Sequence, residues 1–232
     1  MKLLIRILLL FPIMVFFANG KPLLNPEIIE SLKKEFSGLK NPVTIKVFTQ
    51  EIKCNSCKEN DQLVAEVAAV NPLITVKEYK FEQSKKEANK YGIDKIPASV
   101  IIGDKYRGVR LFGIPTGYMF GTLIEAIKTA STSSVNATDD LKSNVKKVKK
   151  TIHIKALVSP TCPYCPGAVV NSQELAFLSS FITADMIQIT DFPYLGTKYN
   201  VEGVPLIIIN ETTRIPGAVS KEVLIEKILQ IK

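Results

Sequence analysis

Several kinds of residue are scarce in this chain, and each scarcity narrows what it can do. There is one histidine among 232 residues. It stands in the alternating run Ile152-His153-Ile154, the setting of an exposed or hydrogen-bonded strand residue, so no catalytic role is assigned to it. No nicotinamide or flavin fingerprint is present, so no bound cofactor is expected, and electrons must come and go through another protein or a small thiol. The lysine-rich stretch Lys142, Lys146, Lys147, Lys149 and Lys150 has no interleaved aromatic residues. It reads as a solvated linker or helix face rather than a nucleic-acid site. Beyond the N-terminus no apolar run is long enough to span a bilayer, and no lipobox cysteine is found.

The N-terminus itself is apolar. Met1 to Gly20 carries Lys2 and Arg6, then an apolar stretch from Ile7 to Phe17, then the small residues of Ala18-Asn19-Gly20. This order predicts a signal peptide over 1–20, cleaved after Gly20, and an exported protein that is periplasmic or extracellular and free of the membrane after cleavage. The alternative is an uncleaved membrane anchor, for which the apolar run is short of the roughly 20 residues a span requires. Removing Lys2 and Arg6 would take the formal charge from +8 to +6. The balance stays basic.

Only four cysteines are present, and all four fall in pairs: Cys54-Asn55-Ser56-Cys57 and Cys162-Pro163-Tyr164-Cys165. Each pair stands 43 residues upstream of an apolar-proline step, Ile96-Pro97 and Val204-Pro205. The segments Lys90-Tyr91-Gly92-Ile93-Asp94-Lys95-Ile96-Pro97 and Lys198-Tyr199-Asn200-Val201-Glu202-Gly203-Val204-Pro205 align at an offset of 108, the offset that also joins Cys54 to Cys162. Two homologous units of roughly 100 residues follow, with boundaries expected at 21–138 and 139–232. A hydrophobic content of 46% is enough for two modest cores.

The pattern within each unit is mixed. In the first, a helix is expected over Asn25 to Phe36, a strand over Val43 to Thr49, and a helix from the cysteine pair to about Val70. A strand over Ile74 to Phe81 and an exposed helix over 82 to 91 follow, then a hairpin of Ser99 to Ile102 with Val109 to Phe112, and a closing helix over Gly121 to Thr129. The small polar residues from Ala130 to Thr138 read as a connection. The order recurs with strands at Ile152 to Val158, Met186 to Asp191 and Ile207 to Asn210, a further strand after a turn, and a helix from Lys221 to Ile231. Each unit is expected to form its own mixed sheet, partly parallel and with an antiparallel hairpin at one side.

Two thiols separated by two residues close and reopen a small disulfide ring, which suits electron exchange. The first cysteine of each pair lies near a helix N-terminus, whose partial positive charge stabilises a thiolate. Cys54 and Cys162 are therefore the expected nucleophiles, and Cys57 and Cys165 the resolving residues. Between them Pro163 stiffens its loop and Tyr164 offers an aromatic wall, whereas Asn55 and Ser56 are small and polar, so the two sites should differ in potential. A four-cysteine metal-binding module and static structural disulfides are the alternatives. No metal ligand is assigned.

Cys162-Pro163-Tyr164-Cys165-Pro166, with Lys95-Ile96-Pro97-Ala98 and Arg110-Leu111-Phe112-Gly113-Ile114-Pro115-Thr116-Gly117, resembles the archaeal and thermophilic protein disulfide oxidoreductases over about residues 23 to 232. The Asn55-Ser56 pair and the export signal depart from that family. The resemblance implies an α/β fold of two tandem thioredoxin-like domains, each a mixed central sheet flanked by helices. It further implies that Pro97 and Pro205 are cis and face the cysteines. Ile96-Pro97 and Val204-Pro205 would then dock an extended substrate by strand addition. Cys162, in the glutaredoxin-type motif, is taken as the more active nucleophile.

These readings converge on an exported thiol-disulfide oxidoreductase acting on protein thiols or disulfides, as oxidase or isomerase more than reductase, because extracytoplasmic compartments support disulfide formation. Its alternative from another class is a peptide-binding chaperone with vestigial redox sites.

Overall fold

Asn25 caps the first helix by accepting the Ile28 amide at 2.8 Å, with Pro26 in the first turn, where its missing donor is not needed. A computed structural model describes residues 21–231, and the expected signal peptide over 1–20 lies outside the described residues. The first unit runs α1 (Pro26–Glu35), β1 (Val43–Thr49), α2 (Cys57–Ala69), β2 (Ile74–Lys80), α3 (Lys85–Tyr91), β3 (Ala98–Ile102), β4 (Tyr106–Phe112) and α4 (Phe120–Thr132). Helix α5 (Asp139–Lys146) leads into the second unit. There β5 (Ile152–Val158), α6 (Cys165–Leu178), β6 (Ile182–Gln188), α7 (Pro193–Lys198), β7 (Leu206–Ile209), β8 (Thr213–Pro216) and α8 (Lys221–Leu229) repeat the order.

Within each unit the first two strands pair in parallel and the remaining two continue as antiparallel neighbours, giving the order β2-β1-β3-β4 and its counterpart β6-β5-β7-β8. The two expected sheets are in fact one. Strand β4 pairs in parallel with β6 from Val109↔Ala184 to Phe112↔Ile187, so eight strands form a single sheet. Burial explains the joint, because β6 is covered along nearly its whole length, as an interior parallel strand must be.

Alternation sends side chains to two apolar layers, and both layers cross the joint. On one face Val43, Ile45, Val47, Val109, Leu111, Ile154 and Ala156 meet the helices α1, α2, α4, α6 and α8. On the other, Phe48, Val100, Phe112, Leu157 and Ile187 are covered by Tyr91 of α3, Leu195 of α7 and Tyr199 beside it. Burial of this kind contributes roughly 25 cal/mol for each Å² of apolar surface removed from water.

Two strand boundaries need correction, whereas the lysine stretch is solvated as expected. The strand placed at Met186 to Asp191 is Ile182–Gln188, and Asp191 lies beyond its end. The lysine stretch begins as helix α5, capped by the Thr138 hydroxyl oxygen accepting from the Leu141 amide at 3.2 Å. Its lysines stay exposed while Leu141, Val145 and Val148 enter the core. Finally, β4 starts at Tyr106 rather than Val109, with Gly108 at φ 78 passing close to the Ile182 carbonyl of the neighbouring strand. Among the described residues no helix is long and apolar enough to cross a membrane.

Candidate redox sites

Each cysteine pair sits where the first strand of its unit hands over to a helix. Strand β1 ends at Thr49 and α2 begins at Cys57; β5 ends at Val158 and α6 begins at Cys165. The same turn is made twice, with the Cys57 amide donating to the Cys54 carbonyl and the Cys165 amide to the Cys162 carbonyl, both at 3.4 Å. Cys54 is disulfide-bonded to Cys57 and Cys162 to Cys165, with Cα–Cα distances of 5.4 and 5.5 Å. In both rings the second cysteine is the deeper one, Cys57 at 1% and Cys165 at 0% exposure. Cys54 is half-buried and Cys162 is 9% exposed, so the first ring opens more to solvent than the second.

The Ile96-Pro97 and Val204-Pro205 peptide bonds are both cis. Each proline leads directly into the strand that pairs with the cysteine-bearing strand, β3 beside β1 and β7 beside β5. The Pro97 carbonyl accepts from Gly113 N–H at 2.9 Å and the Pro205 carbonyl from Gly217 N–H at 2.8 Å. The Val204 carbonyl oxygen lies 3.5 Å from Cys162 Sγ. Neither Ile96 nor Val204 has its amide or carbonyl in a backbone–backbone hydrogen bond among the described residues.

The intervening residues differ as their types suggest. Tyr164 is 75% exposed and Pro163 is exposed with it, so the second motif carries an aromatic rim. Asn55 is exposed, while Ser56 is turned to an acid of the other unit: its hydroxyl donates to Asp191 Oδ1 at 2.6 Å. An open groove of ≈ 550 Å³ runs beside the first motif, lined by Gln50 to Lys53 and by Lys80, Glu82 and Gln83. A second, of ≈ 440 Å³, lies between Gly117-Tyr118 and Pro160-Thr161 beside the second motif. Tyr118 there is 55% exposed.

Known proteins share the fold that carries these features. A family model described as a thioredoxin domain matches residues 151–230. The second unit has the thioredoxin fold. A solved structure of the alkylhydroperoxide reductase protein AhpF of Enterococcus faecalis is 25% identical over 88% of this chain and 99% of that one, with a TM-score of 0.83. A protein disulfide oxidoreductase from Aeropyrum pernix shares the fold at 24% identity and a TM-score of 0.82, covering 88% of this chain and 91% of that one. Among curated relatives, an NADH dehydrogenase of Bacillus subtilis is 24% identical over 205 residues, which is 88% of this chain and 38% of the relative. The alkyl hydroperoxide reductase F protein of Staphylococcus aureus is 24% identical over 153 residues, 66% of this chain and 28% of the relative. The chain thus spans well under half the length of these curated relatives. It is a two-unit thioredoxin-fold protein with a redox-type cysteine pair in each unit.

Polar residues at two places in this pair of thioredoxin-fold units were not singled out by the sequence. Asn60 and Asp61 lie one turn beyond Cys57 on α2; both amide atoms of Asn60 and Oδ1 of Asp61 are buried without a hydrogen-bond partner. Burial raises the Asp61 carboxyl above the ordinary carboxylate range, against the opposing hydrogen bond from Thr49 Oγ1 at 2.6 Å. The second unit has Ala168 and Val169 at the matching positions, so comparing the units residue by residue carries the signal. Asp191 is the other, and no local motif marks it. Among the described residues no three histidine, cysteine or acidic side chains gather as a metal site.

Proposed function

We propose that this protein is a thiol-disulfide oxidoreductase that exchanges disulfides with protein cysteines at both motifs. The observation that carries this reading is the pairing of a closed two-residue-spaced ring at a helix start with a peptide edge outside backbone–backbone hydrogen bonding beside it, the Val204 carbonyl lying 3.5 Å from Cys162 Sγ. A substrate segment laid along Ile96-Pro97 or Val204-Pro205 would present its sulfur to the outer cysteine.

In the oxidising direction a substrate thiolate attacks Cys54 or Cys162. The ring S–S bond breaks, and Cys57 or Cys165 departs as a thiolate that takes up a proton. A second substrate thiol then displaces the outer cysteine from the mixed disulfide. The substrate gains a disulfide, and the protein keeps two electrons and two protons as a dithiol. Isomerisation uses the same mixed disulfide with no net electron transfer.

The oxidase or isomerase direction goes with export, which we propose on the strength of residues 1–20, and with recharging by a separate protein or small thiol. The reductase direction is favoured by a different observation, the likeness to the alkyl hydroperoxide reductase proteins. Equilibrium potentials separate them: sites well above about −200 mV support oxidase or isomerase, and sites near about −270 mV support a reductase.

Trapping tests the reading itself. Cys57→Ser and Cys165→Ser should accumulate mixed disulfides when the freed Cys54 and Cys162 thiolates attack a disulfide-bearing protein substrate, each releasing one substrate thiol, and the chain with all four cysteines replaced should form none. Substrate folding assistance that survives removal of all four cysteines would instead favour a peptide-binding chaperone. The mass of the mature N-terminus from the native host tests export, and an intact Met1 would overturn cleavage.

A further inference from the structure

Ser56 stands directly before Cys57, in the position from which a serine oxygen ordinarily accepts an amide proton of the first helical turn. Here it makes no such cap. Its hydroxyl donates to Asp191 Oδ1 at 2.6 Å, a contact spanning 135 residues of sequence and reaching from one unit to the other. The second carboxylate oxygen of Asp191 accepts the Ile114 amide at 3.0 Å. Ile114 follows Gly113, whose amide holds the Pro97 carbonyl at 2.9 Å. Gly113 has φ +87, and a Cβ there would come within 2.5 Å of Asp191 Oδ2, so glycine makes room for the acid. Gln188, at the end of β6, adds a bond from Nε2 to the Ile114 carbonyl at 2.9 Å. One carboxylate of the second unit therefore ties the first redox loop to the segment that holds its proline.

The second motif has a different brace. Tyr164 occupies the place of Ser56 and points to solvent, while the Pro160 carbonyl accepts the Tyr118 amide of the first unit at 2.9 Å.

We propose that Asp191 is a positioning residue for the Cys54–Cys57 pair and holds its reduction potential below the value the motif would have alone. This inference rests on the thiol-disulfide reading given above. Two effects act in one direction. Anchoring Ser56 keeps the cysteines in the turn that closes the ring, which favours the disulfide. A negative charge beside the motif disfavours a thiolate there, which disfavours the reduced form. In the balanced reaction with glutathione, two thiols reduce the Cys54–Cys57 bond, leaving two protein thiols and one glutathione disulfide. Losing Asp191 should move that equilibrium toward the dithiol.

The experiment is a glutathione titration of the full chain with thiol trapping and mass spectrometry of each pair, in the unsubstituted protein and in Asp191→Ala, Asp191→Asn, Ser56→Ala and the Asp191→Ala/Ser56→Ala double variant. Asp191→Ala should shift the first pair about three- to tenfold, up to about 30 mV, and leave Cys162–Cys165 unchanged. Asp191→Asn keeps an acceptor and should shift less. Ser56→Ala should shift in the same direction, and the double variant less than the sum of the singles, as expected for partners in one contact. An unchanged first pair in Asp191→Ala, equal shifts in both pairs, fully additive singles, or an Asn variant that shifts as far as Ala would each overturn the proposal. Should Asp191→Ala not fold, Ser56→Ala carries the same test on a smaller change. If neither pair titrates in the unsubstituted protein, the thiol-disulfide reading fails before the role of Asp191 is reached.

Discussion

Arg110 and Asp185 face each other at matched positions of β4 and β6, with Nε 2.6 Å from Oδ1 and Nη2 2.9 Å from Oδ2. His153 Nε2 lies 2.5 Å from the same Oδ2, and Arg110 Nη1 also donates to the carbonyls of Tyr91 at 2.8 Å and Gly92 at 3.1 Å. The fork geometry of a guanidinium satisfies a carboxylate and two carbonyls at once, which a lysine does not. The joint between the units is therefore a buried ion pair set into an apolar sheet.

Breaking that pair should be expensive, because the surviving charge has no water to turn to. Arg110→Met is expected to lower stability by about 3–5 kcal/mol, and the Arg110→Met/Asp185→Leu double variant to recover much of the loss. Urea denaturation of the three chains measures this; a loss under about 1 kcal/mol in Arg110→Met would contradict it.

Acidification should expose the same pair. Burial alone would raise the Asp185 carboxyl, but the His153 hydrogen bond and the Arg110 charge outweigh it and hold the group below its ordinary range. A depressed carboxylate contributes stability that is present above the unfolded value and lost as pH falls through the folded one. Glu211 behaves alike: burial opposes ionisation, yet Lys155, the Tyr199 hydroxyl at 2.6 Å and Lys198 bring it to about 2. Its contribution should fade between about pH 4.5 and about pH 2. Glu211→Gln should flatten that part of the stability profile by no more than about 1 kcal/mol, because the carboxylate is half exposed to solvent.

Asp61 has the opposite sign. Its raised carboxyl means that the folded chain binds a proton more readily than the unfolded one, so stability drops as pH rises through the unfolded value and stays lower above the folded one. Copying the second unit by Thr49→Val/Asn60→Ala/Asp61→Val, which also removes the buried hydroxyl that Asp61 accepts from, should raise stability at neutral pH by about 1–3 kcal/mol through removal of unpaired buried groups. If the acid also serves proton exchange at Cys57, the same variant will slow turnover at the first site and not at the second. A thermal melt and site-resolved trapping report the two effects separately.

Gly117 adopts φ +57, and a Cβ on it would run into the Pro160 carbonyl oxygen. Gly117→Ala should lower stability by about 1–3 kcal/mol, the range for a residue forced into a sparsely populated conformation. It should also change the exchange rate of Cys162–Cys165, whose loop that carbonyl belongs to. Equal rates in the two chains would mean the contact only packs the units together.

Much of this was legible in the residues. Val43–Thr49 and Ile152–Val158 read as strands from alternation and β-branching, and both cysteine pairs fell at helix starts. The joint was not legible, because pairing of β4 with β6 is a long-range choice between two strand edges, and each edge is apolar for its own unit's sake. Asp185 obscured its strand: an acid amid Ala184, Met186 and Ile187 looks like a strand start until Arg110 is seen across from it. Helix α7 was hidden by its brevity and by Gly196 within it. Asp191 follows a strand and precedes a proline-led helix, so locally it is a turn residue, and only the tertiary fold brings it to Ser56.

The way the two units join also governs how many can join. Strand β4, the last of its unit's sheet, meets β6, the counterpart of β2, so the contact is head to tail and does not close on itself. Strands β8 and β2 at the two ends repeat the same pair of surfaces, and in principle one molecule could follow another into a fibre. The ends are dressed against it. Strand β8 has four residues, among them Arg214 and Pro216, and β2 carries Lys77, Glu78 and Lys80. Short, charged and proline-bearing borders are poor templates for another chain. Among the described residues the sheet ends at two units, and its borders do not invite a third.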